Sequence, residues 1–423
     1  MEYGEGYITL TDEELNKEKK AMKHQIEEII SEIMMLEEKL NVCAEDEYDD
    51  IESKIADKTM LLEGFEESYR SLMTCEEGVL RVNNIFRYAT SELSQDAFIC
   101  WLLSYATEDG WYANYQLRKC AVAFMDKILQ SKGSCWKADT RITGIHKQYK
   151  NIDVLVDVGD FKIIIEDKTF TCSHGDQVNR YKKSLLDEGI AEENIICVFY
   201  KIEEQAKPEP NVDFEFTRKI LLDIFRKYGE FINHPIFVDY LEYLEWMEYR
   251  VNAWQRLPIA QWNNDGKAYV GFFTHLKECF LDSQKGWCGW NYVANPTGGF
   301  MGLWWFPYES KELDGMGFTE DVCDEIYLQF ENNIIAVKYS LDPKRTYDKQ
   351  VVSGMRSNLF RYLENKINEE TNGEIVFKKK TFRYGTWMTV GYVEYDENNY
   401  LERLQLLKKA LDELIGNGIN KSN

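Results

Sequence analysis

No run of eighteen apolar residues occurs in the chain, so nothing in it reads as a membrane-crossing helix. Its first stretch, MEYGEGYITLTDEE, is acidic and has no apolar signal region, which points to a soluble protein that is not exported. Ten cysteines are scattered without a single C-x-x-C pair, which argues against a zinc ribbon. With no export signal, those cysteines read as reduced thiols in the cytoplasm. No internal repeat and no low-complexity tract is found, which excludes solenoid and fibrous designs. Positive charge is also short: 50 Lys and Arg against 73 Asp and Glu leave a net charge of −23. That sum speaks against a nucleic-acid partner.

The distribution of charge weakens that exclusion. Residues 1–80 hold 23 acidic against 8 basic residues, a net of −15, and leave −8 for the other 343. Residues 81–150 are slightly basic, with 10 Lys and Arg against 6 Asp and Glu. The acidity belongs mostly to an appendage. Aromatics are plentiful (Trp 11, Tyr 26, Phe 22), and 423 residues suggest two or three domains.

The first of these, residues 1–80, reads as an antiparallel helical hairpin. Thr11 to Glu14 has the form of a capping box. Met22, Ile26, Ile29, Ile33, Leu36 and Leu40 then follow in the 4-3 spacing of a coiled-coil seam. After "AEDEYDD", a second seam runs through Tyr48, Ile51, Ile55, Leu62, Phe65, Tyr69 and Leu72, with Lys58 breaking one position. The two stripes can cover each other, or one can serve a homodimer or another protein partner. Residues 81–255 alternate helix and strand, with the order helix, three strands, helix, strand. Residues 256–423 read as a separate α+β unit: a hairpin about Asn332-Asn333, further strands in "GEIVFKKKTFRYGTWMTVGYVEY", and flanking helices.

Chemistry concentrates in "IDVLVDVGDFKIIIEDKT", residues 152–169. Two β-branched runs flank Gly159-Asp160, a Gly-first pair suited to a two-residue type II′ turn. That turn sets Asp153 across from Glu166 and Asp157 across from Lys162. Like charges directly opposite destabilise a sheet. A hard divalent cation removes the conflict, because carboxylate oxygens are its preferred ligands. Alternation puts Glu166 and Lys168 on one face and Asp167 on the other. Lys168 could stabilise charge at a phosphate or position an attacking water. A solvated charged face would also explain the trio, but Leu155 and Ile164 share its surface, which suits a cleft better.

The arrangement Asp153…Glu166-Asp167-Lys168 resembles the signature of the PD-(D/E)XK nuclease superfamily, with Ile152 in place of the signature proline. "QVNRY", Gln177 to Tyr181, resembles the Q-x-x-x-Y helix motif of the RecB-like branch, and "SELSQDAFICWLLSYA" resembles the opening helix of uncharacterised bacterial members. The likeness covers residues 84–205. It implies an α/β, restriction-endonuclease-like core (αβββαβ) between the helical hairpin and the C-terminal α+β domain. It also implies Mg²⁺ or Mn²⁺ held by Glu92, Asp153 and Glu166, with Asp167 as a further ligand through its carbonyl. The activity implied is phosphodiester hydrolysis in DNA, with Asp153, Glu166 and Lys168 catalytic. Gln177, Tyr181 and His174 would contact nucleic acid or support the site. Asp96, one turn after Glu92, reads equally well as an ordinary surface carboxylate. The rival reading is a nuclease fold without turnover, its arm and C-terminal domain recognising a partner.

Two further features are less specific. The aromatic segment "GWCGWNYVANPTGGFMGLWWFPYE" fits core packing or base stacking. The basic run "FKKKTFR" fits a phosphate-backbone contact or a lysine-protected strand edge.

Overall fold

The computed structural model describes residues 12–74, 80–168, 177–264, 266–294, 298–308 and 325–419. Among them the chain is mixed α/β, with ten α-helices and two five-stranded sheets. Contacts divide it into two compact units: Met1–Thr169 with Arg180–Val198 and Arg218–Tyr249, and Phe170–Asn179 with Phe199–Thr217 and Arg250–Asn423. No helix among the described residues is long and apolar enough to cross a membrane.

Two long helices come first, α1 (Asp12–Leu40) and α2 (Glu45–Thr74). They run antiparallel. The Lys23 ammonium in the first half of α1 lies over the Tyr69 ring near the end of α2, and Glu32 pairs with Lys58 at 2.5 Å. The covered residues of α1 are those of the 4-3 seam and Lys19, one step before it, while Met34 and Met35 are exposed. Lys58 interrupts the second seam and finds its partner across the hairpin. Tyr48 departs from the expected seam and is exposed, because it sits in the first turn of α2, where α1 has already ended. The capping box at Thr11 lies outside the described residues.

The mixed region begins with α3 (Glu92–Ser104) and α4 (Tyr115–Gln130). Asn114 caps α4 by accepting the N–H groups of Gln116 and Leu117. Leu117, Ala121, Phe124 and Ile128 then form its buried stripe. Strands β1 (Ile142–Tyr149), β2 (Ile152–Val158) and β3 (Phe161–Lys168) follow as an antiparallel meander. Next come α5 (Gln177–Asp187), β4 (Ile195–Lys201), β5 (Phe214–Thr217), α6 (Arg218–Gly229) and α7 (Pro235–Val251). The sheet order is β1-β2-β3-β4-β5. Phe98 of α3 stacks on Tyr240 of α7 at 3.8 Å, and buried Arg81 bonds to Asp239 at 2.7 Å and to Glu242 at 2.6 Å.

The β2–β3 register is the expected one: Val154 faces Ile165, Leu155 faces Ile164, and Asp157 faces Lys162, whose ammonium lies 2.8 Å away. Gly159 takes φ 53° and Asp160 no positive φ, as a Gly-first turn requires. β3 is central in the sheet, and Ile163, Ile164 and Ile165 are all buried, so both its faces are covered.

The second unit contains α8 (Lys267–Cys279), β6 (Trp287–Val293), β7 (Phe300–Phe306), β8 (Glu325–Glu331) and β9 (Ile334–Ser340). It continues with α9 (Lys349–Thr371), β10 (Trp387–Glu394) and α10 (Tyr400–Ile419). Its sheet is antiparallel throughout, in the order β10-β9-β8-β7-β6. Ile326, Leu328 and Phe330 alternate into a core shared with Phe272 of α8, Leu363 of α9 and Leu407 of α10. Asn332 adopts φ 52° in the β8–β9 turn. One expectation fails: residues 374–386 form no strand, only an isolated bridge between Lys378 and Tyr392. Buried Arg356 of α9 explains this. It donates to the Lys380 carbonyl and, at 2.6 Å, to that of Thr389, so a side chain takes the place of a ladder.

Candidate functional site

Five carboxylates and an ammonium gather where α3 and β2 begin and β3 ends. Glu92 is the first residue of α3, behind extended Ser91, and Asp96 follows one turn later. Asp153 is the second residue of β2 and half-buried, while Glu166 and Asp167 are fully buried. Asp153 Oδ2 accepts the backbone N–H of Asp167 at 3.1 Å, tying the two strands beyond their last ladder pair. Lys168 Nζ lies 2.7 Å from Glu166 Oε1, 3.7 Å from Glu92 Oε2 and 3.8 Å from Asp153 Oδ2. It also donates to the Asp167 carbonyl at 3.0 Å. Thus Glu92, Asp153, Glu166 and Lys168 are brought together. Asp167, which alternation directs to the opposite face, still feels the charges of Asp96, Glu92 and Asp153.

Burial dominates the electrostatics. It pushes the Glu166 pKa up to about 7, with Lys168 pulling against it and Asp153 adding to it. Burial and Asp153 raise Asp96 to about 6. Asp167 rises well above the usual carboxylate range, first through burial and then through Asp96, Glu92 and Asp153. For Lys168, burial works downward, but the bond to Glu166 and the nearby carboxylates outweigh it and hold the pKa above its ordinary value. Lys168 therefore stays cationic at neutral pH. Strong shifts in one cluster make it a candidate functional site.

Two contributors carry no clear signal in the sequence. Asp96 is no surface carboxylate, at 1 % exposure. Gln148 lies between the Lys147–Val154 and Tyr149–Ile152 pairs, abreast of Asp153. Its amide donates to Asp153 Oδ1 at 3.3 Å and to Asp96 Oδ2 at 3.4 Å. It does so with φ 57°, a left-handed conformation costing a non-glycine residue about 1–2 kcal/mol. Backbone strain beside a charged cluster is a feature of functional sites. The hairpin register that locates Glu166 also locates Gln148 once it is extended to β1.

Among the described residues, no group of three or more His, Cys, Asp or Glu side chains stands arranged to hold a metal ion. The Lys168 ammonium is already seated among three of the carboxylates. In chemistry, however, the donor set suits a hard divalent ion. Its donors are all oxygens, carboxylates together with the Asp167 carbonyl, and Glu166 Oε2, Asp96 Oδ1 and both Asp167 side-chain oxygens are buried without hydrogen-bond partners. Such oxygens cost free energy until a proton or a cation meets them.

Gln177 and Tyr181 sit one turn apart on α5, half-buried and buried respectively. His174 lies outside the described residues. Ser94 bonds to Ser91 at the start of α3, and Gln95 accepts from the Tyr240 hydroxyl at 3.4 Å, so both serve the fold. No protein-family model, curated protein or solved structure matches the chain.

Proposed function

We propose that the chain is a metal-dependent nuclease of the PD-(D/E)XK type, cutting phosphodiester bonds in DNA from a restriction-endonuclease-like core (αβββαβ) that begins at α3. The observation that carries this reading is the convergence of Glu92, Asp153 and Glu166 on Lys168 at the end of a buried hairpin. Glu92, Asp153 and Glu166 would hold Mg²⁺ or Mn²⁺, with the Asp167 carbonyl as a further ligand. The ion would supply a water of lowered pKa and charge to neutralise the phosphate. Asp153 is fixed for its part by the Asp167 N–H and the Gln148 amide. Lys168, kept protonated, acts as a donor and not as a base, and orients the nucleophile or stabilises phosphate charge. Gln177 and Tyr181 support the site or contact nucleic acid. A cytoplasmic setting, expected from the sequence, is part of the same proposal.

The test is Mg²⁺-dependent cleavage of plasmid and single-stranded DNA by the wild type and by Asp153→Ala. Cleavage that needs both metal and Asp153 supports the reading, and equal cleavage by the variant defeats it. A second reading, a nuclease fold without turnover, is favoured by one observation: the Lys168 ammonium sits where a cation would be expected. It predicts no cleavage with any divalent ion. A partner or second copy would then meet the outer face of the arm, where Met34, Met35, Met60 and Leu61 are exposed.

A further inference from the structure

The C-terminal sheet has a second face. Ile326, Leu328 and Phe330 point into the core, so Tyr327, Gln329 and Glu331 point away from it. Register carries that face to Trp304 on β7 and Lys338 on β9. A cavity of about 890 Å³ lies over it, within the size range of small-ligand sites.

Its walls are aromatic. Trp304, Phe306, Tyr327 and Trp387 line it. Phe306 and Tyr327 stack at 4.6 Å, and Trp287 extends the row by stacking on Phe306 at 4.3 Å. Trp387 is 69 % exposed, so its ring faces solvent instead of the core. The charge is basic: Lys338, Lys380 and Arg383 line the cavity against one acid, Glu331. Glu331 is buried and fully engaged. It accepts from Gln329 at 2.7 Å and from Lys380, with Lys338 Nζ 3.6 Å away. Two positive charges are left over, in a chain whose net charge is −23. Stacking rings beside a surplus of cations match a base carrying a phosphate. The aromatic segment and the basic run singled out in the sequence thus meet in one cavity.

We propose that this cavity binds a nucleotide, its base stacked on the aromatic walls and its phosphate held by Arg383, with the surplus positive charge of the lysines behind it. The site shares no residue with the carboxylate cluster and stands whether or not that cluster cleaves. The same unit is available as a free nucleotide or as one residue of a single strand.

The experiment is calorimetry on the full-length protein in EDTA, which prevents metal-dependent cleavage. The probes are the four deoxynucleoside monophosphates, a fifteen-nucleotide single-stranded DNA, ribose 5-phosphate and phosphotyrosine. Binding of mononucleotides identifies a free nucleotide as the ligand; binding of the oligonucleotide alone identifies a strand. Either supports the proposal if Trp387→Ala weakens it by roughly 5- to 150-fold, the span for loss of one base–aromatic stack. Arg383→Ala should also lower the salt slope of oligonucleotide binding by about 0.7. Both side chains are exposed, so the variants should keep the fold, with circular dichroism as the check. The proposal is overturned if no nucleotide probe binds, if neither variant weakens binding, or if ribose 5-phosphate or phosphotyrosine binds equally well.

Discussion

Neutralising Glu166 without changing its shape tests the candidate site most directly. Burial, more than any neighbour, moves its pKa from 4.5 up to about 7. A carboxyl whose folded pKa exceeds its unfolded one contributes fully below the unfolded value and loses that contribution as pH rises through the folded one. The window is therefore roughly pH 4.5 to 7. At about 1.36 kcal/mol per unit, ionised Glu166 costs the fold about 3 kcal/mol. The lost bond to Lys168 is already inside that balance, and Glu92 and Asp153 remain within 3.8 Å of the ammonium. Glu166→Gln should match the wild type near pH 4.5 and exceed it by about 3 kcal/mol above pH 7, roughly 6–12 °C in Tm for a unit of this size. Thermal melts of both proteins across this range, in EDTA, read the difference. Parallel pH profiles, or a variant less stable than wild type at pH 8, would refute the reasoning.

Three other perturbations probe the geometry. One alanine inserted between Gly159 and Asp160 should slip the hairpin pairing and abolish cleavage, whereas two inserted residues should preserve it in part. Equal activity of the two variants, both folded by circular dichroism, rejects the register argument. Gln148→Gly relieves a left-handed side chain and should leave Tm unchanged or higher, yet reduce cleavage by roughly tenfold or more through loss of the bridging amide. An unchanged rate would show that the bridge has no part in the reaction. Deleting residues 1–77 removes a net −15 and should tighten DNA binding in fluorescence anisotropy, most at low salt. Unchanged affinity in a folded truncation excludes electrostatic screening by the arm.

Local patterns are legible in the sequence; long-range ones are not. The turn at Gly159-Asp160 declares its register because only a Gly-first pair suits that geometry, and this alone predicts that Val154 faces Ile165. The seams of α1 and α2 are visible because 4-3 spacing has one economical solution. Asp96 is ambiguous, since helical periodicity relates it to Glu92 but cannot show that Gln148 and a sheet cover it. Gln148 itself gives no local signal, because no propensity predicts a left-handed glutamine at a strand end. Residues 374–386 have a strand's composition without its pairing, because Arg356, from α9, claims the Lys380 carbonyl.

Both sheets join only strands that are consecutive in the sequence. Most of these pairings are local, and only β4 and β10 return after an intervening helix, so the loop-closure entropy that slows all-β domains is modest for each. During synthesis every strand can dock on the one made just before it, which limits the time a bare edge is open to a neighbouring chain. The carboxylate cluster, drawn from residues 92 to 168, can close before the C-terminal sheet has left the ribosome.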